Sequence, residues 1–398
     1  MRVLQLCNKP PLPAVDGGCL AMHSITEGLL QAGIEVNILT AETKKHPFLP
    51  QYLDPHYLKA TAIKAVFIDT DINFFKGISS FFSSTSYHLN RFYSDEFRDA
   101  LEEILDKEIF DIIQLESLFM TGYIPFIRKR SKAKIVLRAH NVESQLWKRR
   151  VEEETDPIRK TLKGQLSRRL AKAEIKAMRQ VDGIIPITHE DAMLLRKMMN
   201  GRKAPMLVLP FTLSLPELSS AASPQPATVF HIGAMDWEPN VRCIKWFTEN
   251  CWPLVLHENP GAKLHLAGKK MMPDDAAYAG EGIVVHGQVA DARKFISEYA
   301  IMAVPLLSGG GMRVKLVEGM AMEKAIVSTI IGAEGTGIEN GKHALIADNA
   351  IDFANAINRL IGNPQLAEEL GKNARKFALQ NFELRSATEK LILFYRSL

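Results

Sequence analysis

The chain has 398 residues, a formal net charge of +4, and 46% hydrophobic and 24% charged residues. That length exceeds one ordinary core and sets two domains as the expectation, while so mild a charge makes no case for nucleic-acid binding. No apolar run is long enough to span a bilayer, the start reads as a strand rather than a signal peptide, and Cys7, Cys19, Cys243 and Cys251 form no C-x-x-C pair, so the expectation is a cytoplasmic protein with reduced thiols.

Residues 2–7 (RVLQLC) predict a strand, followed by the proline-containing loop NKPPLPAVDGG and a helix beginning near Leu20. The start lacks G-x-G-x-x-G, which removes the dinucleotide fingerprint. Strands are expected at 34–40 and 65–69, and the second ends in Asp69-Thr70-Asp71. The aromatic stretch 72–93 is expected to pack against its domain. FDIIQL (110–115) and KIVL (134–137) read as buried parallel strands whose carboxyl ends deliver Glu116 and then Arg138, His140 and Asn141. Open α/β sheets bind ligands at that edge, so these side chains are expected to face a ligand. From 147 to 180 runs one long basic helical region, read either as a solvated face or as a contact with anionic lipid. Strands at 181–188 and 206–210 end the first domain. The Pro-, Ser- and Ala-rich stretch 211–226 reads as a linker.

The second domain, 227–380, predicts strands at 228–232, 262–268, 283–287, 301–306, 325–329 and 344–347. Between the fourth and fifth lies PLLSGGGMRVKLVEGMAMEKA. Gly309, Gly310 and Gly311 carry no Cβ, so their N–H groups can turn toward an anion at the start of the helix that follows. Arg313 and Lys315 add positive charge there, and Lys315 shares a helix face with Glu318. From the residues alone, an anion site and an ordinary turn with a surface ion pair both stay open.

The stretch resembles the donor-site segment of glycosyltransferase family 4, in which two glutamates with seven residues between them precede an A-M-A-x-G-x-P-V run. Glu318 and GMAMEKAIVST fit the second half, and the first glutamate's position holds Gly310. The resemblance implies an α/β GT-B fold: two Rossmann-like doubly wound domains facing a central cleft, with residues 381–398 forming a helix that crosses back to the first domain. It implies that Arg313 and Lys315 stabilise a departing diphosphate, that Glu318 holds ribose, and that His140 contacts the transferred sugar. Gly17, Gly18 and Gly233 match glycines near the donor, and His286 with Gly287 matches the turn that cradles the nucleobase through its backbone. The family's usual Arg and Lys after the domain's first strand are absent, and Arg313 with Lys315 are expected to stand in. Glu116, Arg138 and Asn141 are the acceptor or sugar candidates. R-x-H-N also resembles a bacterial subgroup that makes exopolysaccharide. The D-x-D at 69–71 is the metal–diphosphate signature of the other glycosyltransferase fold, and turn residues are the preferred reading.

The expected activity is retaining transfer of a sugar from a UDP- or GDP-sugar to a hydroxyl of a glycan or lipid-linked acceptor. No cofactor and no metal are expected, and any membrane contact would be peripheral, through residues 148–179. A non-hydrolysing nucleotide-sugar epimerase and a non-catalytic nucleotide-sugar-binding protein are the rivals.

Overall fold

The apolar runs fold as short parallel strands buried on both faces, the arrangement that βαβ crossovers impose. In the computed structural model, which describes residues 1–70, 91–201, 204–214, 225–273, 275–309 and 313–398, the chain divides into two units, Met1–Thr212 with Leu384–Leu398, and Leu213–Glu383.

The first unit runs β1 (Arg2–Cys7), α1 (Gly17–Gln31), β2 (Glu35–Glu42), α2 (Pro55–Thr61), β3 (Lys64–Phe67), α3 (Asp95–Lys107), β4 (Ile112–Glu116), α4 (Ile124–Arg130), β5 (Lys134–Ala139), α5 (Glu143–Glu152), α6 (Pro157–Met178), β6 (Gly183–Pro186) and α7 (His189–Met198). Its six strands lie in the order β3-β2-β1-β4-β5-β6, so the order reverses between β1 and β4. Alternation along each strand feeds two cores. Leu4, Leu6, Ile113, Leu115, Ile135 and Leu137 enter one. Val3, Cys7, Ile112, Val136 and Ile185 enter the other, beneath α1.

The second unit runs β7 (Gln225–Ile232), α8 (Glu238–Trp246), α9 (Trp252–Glu258), β8 (Lys263–Ala267), β9 (Ile283–Gly287), α10 (Ala292–Glu298), β10 (Tyr299–Val304), α11 (Val314–Ala321), β11 (Ala325–Ser328), α12 (Ile330–Ala333), β12 (Leu345–Ile346), α13 (Ala350–Gly362) and α14 (Pro364–Phe382). The strand order β12-β11-β10-β7-β8-β9 repeats the first sheet's pattern, with the reversal between β7 and β10. α15 (Leu384–Ser397) then returns to the first unit, where Ala387, Leu391 and Tyr395 join the core beneath α1.

Several expectations need correction. Residues 206–210 do not form a strand: a single bridge joins Met206 to Ile184. The long basic helix is two helices. Asp156 accepts from the Arg159 N–H at 2.8 Å, and Pro157 sits where a missing N–H costs nothing, so a new helix starts there. Asp69 lies beyond the end of β3 and faces Lys44 at 3.9 Å. Helix α14, which the sequence reading leaves unassigned, begins with Asn363 accepting from the Leu366 N–H at 3.0 Å ahead of Pro364. Asp71, most of the aromatic stretch and most of the linker lie outside the described residues.

Candidate functional site

In doubly wound sheets the ends of the central strands diverge where the order reverses, leaving a crevice for ligand. In the first unit that point lies beside β1 and β4. Gly17 and Gly18 are the opening residues of α1, not a turn before it. The helix start is already occupied by Asp16, whose carboxylate accepts from the Cys19 N–H at 2.9 Å, meets Lys9 Nζ at 2.7 Å and faces His46 Nε2 at 3.2 Å. Burial pushes the Asp16 carboxyl up, but His46 and Lys9 together hold it far below the ordinary range. A Cβ at residue 18 would come within 2.8 Å of Lys9 Nζ, so Gly18 makes room for this pair.

Glu116 ends β4 and Arg138 lies beside it in register on β5. Both face the core beneath α1 and α15, and neither is exposed at all. Neither side chain reaches a surface where an acceptor could touch it, which corrects that expectation: strand alternation turns both inward. His140, two residues beyond Arg138, is 14% exposed, and its Nε2 lies 2.8 Å from Glu116 Oε2. Arg138 Nε is 3.7 Å from the same oxygen. Burial raises the Glu116 carboxyl, yet the hydrogen bond from His140 and the charge of Arg138 outweigh it and keep the group ionised. Burial lowers the His140 imidazole more than Glu116 raises it, so His140 is neutral near pH 7. Ser117, just after Glu116, has φ +118°, a region costly for any residue with a Cβ. Asn141 is half-buried and hydrogen-bonds the Glu143 carboxylate.

In the second unit the reversal lies between β7 and β10, and Gly233 and Gly309 follow those two strands. A Cβ on Gly233 would lie 2.8 Å from Asn240 Nδ2 and 2.9 Å from His231 Nε2. Gly268, at the end of neighbouring β8, approaches the Gly233 carbonyl so closely that no side chain fits. Gly309 has φ +118°, and a Cβ there would meet the Trp237 ring at 2.9 Å and Arg313 Nη2 at 3.1 Å. Arg313 is the N-cap residue of α11 rather than part of its first turn, and its guanidinium carbon lies 5.2 Å from the Trp237 ring centroid. Burial lowers the Arg313 guanidinium from its ordinary range, and the Glu334 carboxylate acts the other way. Lys315 pairs with Glu318 at 2.7 Å, the lysine 39% exposed and the carboxylate 7%. That contact is an ion pair outside hydrogen-bond alignment, and among the described residues Glu318 Oε2 has no hydrogen-bond partner. Gly310 and Gly311 lie outside the described residues.

Gly287 has φ +73°, and a Cβ there would lie 2.7 Å from the Pro273 nitrogen. His286, by contrast, turns its ring into packing: His265 Nδ1 is 2.9 Å from its Nε2, and Phe295 of α10 packs edge-on to it.

The structure thus brings Gly309, Arg313, Lys315 and Glu318 together in one unit, and Glu116, Arg138, His140 and Asn141 in the other. Sequence reasoning missed Trp237. An aromatic beside a glycine loop distant in sequence carries no periodic signal, and only its position after a strand end could have raised it.

Residues 226–363 match the family model described as Glycosyl transferases group 1. A Klebsiella pneumoniae protein described as an uncharacterized 44.6 kDa protein in the cps region is 27% identical over 164 residues, which is 39% of this chain and 42% of that relative, less than half of either. Among solved structures, Anabaena HepE in complex with UDP superposes with a TM-score of 0.67 at 14% identity, covering 100% of both chains. Sucrose-phosphate synthase from Thermosynechococcus elongatus gives 0.69 at 16% identity, covering 100% of this chain and 99% of its own. The fold is GT-B, and the segment holding Gly309, Arg313, Lys315 and Glu318 lies wholly within the part that matches Glycosyl transferases group 1.

Proposed function

We propose that the protein is a retaining, family-4 type glycosyltransferase that moves a sugar from a UDP- or GDP-sugar to a hydroxyl of a glycan or lipid-linked acceptor in bacterial polysaccharide biosynthesis. The observation that carries this reading is the cationic start of α11 inside the Glycosyl transferases group 1 match. The UDP bound by the HepE relative and the cps-region position of the Klebsiella relative support the donor class and the pathway class.

Sugar transfer from a nucleotide diphosphate leaves negative charge on the departing phosphate, and fixed cations aimed at that charge lower the barrier. In the second unit, Arg313 and Lys315 supply them, Glu318 accepts from ribose hydroxyls, and the Gly287 and Gly233 turns keep backbone within reach of the nucleotide. In the first unit, His140 contacts the transferred sugar. The leaving phosphate itself takes the acceptor proton, and neither a cofactor nor a metal is needed. The protein works in the cytoplasm, at times against the membrane through α5 and α6, where Ile158 and Leu162 are exposed among basic residues. Among the described residues no helix is long and apolar enough to cross a membrane.

The test is a panel of UDP- and GDP-sugars. The cognate donor at 100 times its Kd should add about 2.7 kcal/mol of stability, read as a thermal shift. Lys315→Ala should then reduce turnover ~10²-fold, as loss of a donor to a developing oxyanion does, and unchanged turnover would remove Lys315 from the mechanism. A chelator should leave turnover unaltered. Gly310, where the family carries a glutamate, favours one second reading, a binding protein without turnover. Tight donor binding with neither transfer nor hydrolysis would establish it.

A further inference from the structure

Beneath α15 a chain of buried polar side chains leads to His140. Tyr395 Oη donates to Gln114 Oε1, Gln114 Nε2 donates to Glu116 Oε1, and Glu116 Oε2 faces His140 Nε2 at 2.8 Å. Tyr395 is 3% exposed, and Gln114, Glu116 and Arg138 are not exposed at all. An ionised carboxylate can only accept, so the His140 contact requires the proton on Nε2. The ring's other nitrogen takes no protein partner among the described residues.

We propose that Glu116 is a positioning residue, which locks His140 as the Nε2–H tautomer so that Nδ1 is offered as an acceptor to a sugar hydroxyl, and that the C-terminal helix supports this lock through Tyr395 and Gln114. The lock depends on Glu116 staying ionised. The charged or titratable groups around the pair are Arg138 from β5, Lys9 and Cys7 from the β1 side, and Tyr395 from α15. Arg138 favours the carboxylate, and burial keeps Cys7 and Tyr395 neutral. An imidazole held in one tautomer by a buried carboxylate loses the freedom to rotate or to present N–H where an acceptor is wanted. The sequence distance from 395 to 140 hides this link, which exists only because α15 packs into the first unit.

The proposal rests on the sugar-transfer reading for what Nδ1 meets, but the lock itself can be measured without any donor. Protein labelled with ¹⁵N-histidine is observed through two-bond ¹H–¹⁵N correlations, with His140→Gln identifying the His140 signals. At pH 7 the His140 spectrum should be that of a single Nε2–H tautomer. In Tyr395→Phe, which keeps the ring and removes the hydroxyl, the ¹⁵N shifts of His140 should move. In Glu116→Gln the tautomers should mix, and with the cognate donor kcat should fall about 10- to 100-fold, the usual cost of losing such a supporting partner, with donor KM little changed. A mixed or Nδ1–H His140 in the unsubstituted protein overturns the proposal even if Glu116→Gln fails to fold. Unmoved His140 shifts in Tyr395→Phe remove the C-terminal helix from it. A locked tautomer in a protein that transfers no sugar would uphold the lock and sink the functional reading instead.

Discussion

Trp237 contributes at the level of one side chain. Its ring, 36% exposed, lies under the Arg313 guanidinium and against Gly309. A guanidinium over an indole face is held by about 0.5–1 kcal/mol at a partly exposed site. Trp237 therefore fixes the direction of a cation that would otherwise search many rotamers. Trp237→Ala should weaken binding of the cognate nucleoside diphosphate about two- to five-fold by calorimetry, and Trp237→Phe should recover most of it. Equal loss in both variants would mean that the indole acts by packing alone. Residue type and spacing made Arg313, Lys315 and Glu318 visible as candidates. Glu116 and Arg138 were legible as polar residues at strand ends but not as buried ones, because burial depends on what covers the sheet.

Between elements, the junction of α5 and α6 shows charge used as structure. Glu174, on α6, accepts from the Glu143 N–H at 2.9 Å and from the Ser144 N–H at 3.2 Å, so a carboxylate from one helix caps the start of another. Glu143 lies beside it. Burial first, then the Glu174 charge, raises the Glu143 carboxyl from 4.5 to about 7. A folded-state value above the unfolded one means that the contribution to stability is complete below about 4.5 and is lost as pH rises through about 7. Glu143→Gln, which mimics the protonated form, should flatten urea-measured stability across that window and raise it at pH 8. A gain of about 1–2 kcal/mol is expected, discounted from the full shift because the side chain keeps some solvent contact. An unchanged pH profile would show that Glu143 is not held protonated. The break before α6 was written in the sequence as Asp156-Pro157. The cap from Glu174 was not, since it joins residues 31 positions apart.

For the whole chain, the return of α15 is the decisive feature. Ala387, Leu391 and Tyr395 fill the core against Met22, Ile25 and Leu29 of α1, and Gly28 leaves space for Thr388. Each large apolar side chain buried this way is worth about 1.5–3 kcal/mol, so Leu391 and Tyr395 together reach the lower end of an ordinary domain's net stability. A chain ending at Glu383 should lose the cooperative unfolding transition of the first unit while Leu213–Glu383 keeps its own, read by calorimetry and by protease cleavage confined to the first unit. Two unaltered transitions would show that α15 only decorates the surface.

The sequence by itself determined the class of fold, because continuous apolar runs punctuated by helices admit little but parallel sheets with both faces covered. It also marked Arg313, Lys315 and Glu318 as a group, since those residues sit within six consecutive positions at one helix start and local geometry brings them together. The tertiary structure alone decided that Glu116 and Arg138 are buried, that Trp237 lies against the Arg313 guanidinium, and that Tyr395 stands at the end of a hydrogen-bonded chain reaching His140. Each of those facts depends on contacts between distant segments, and such contacts are fixed by how the helices cover the sheets, which no local pattern of residues encodes.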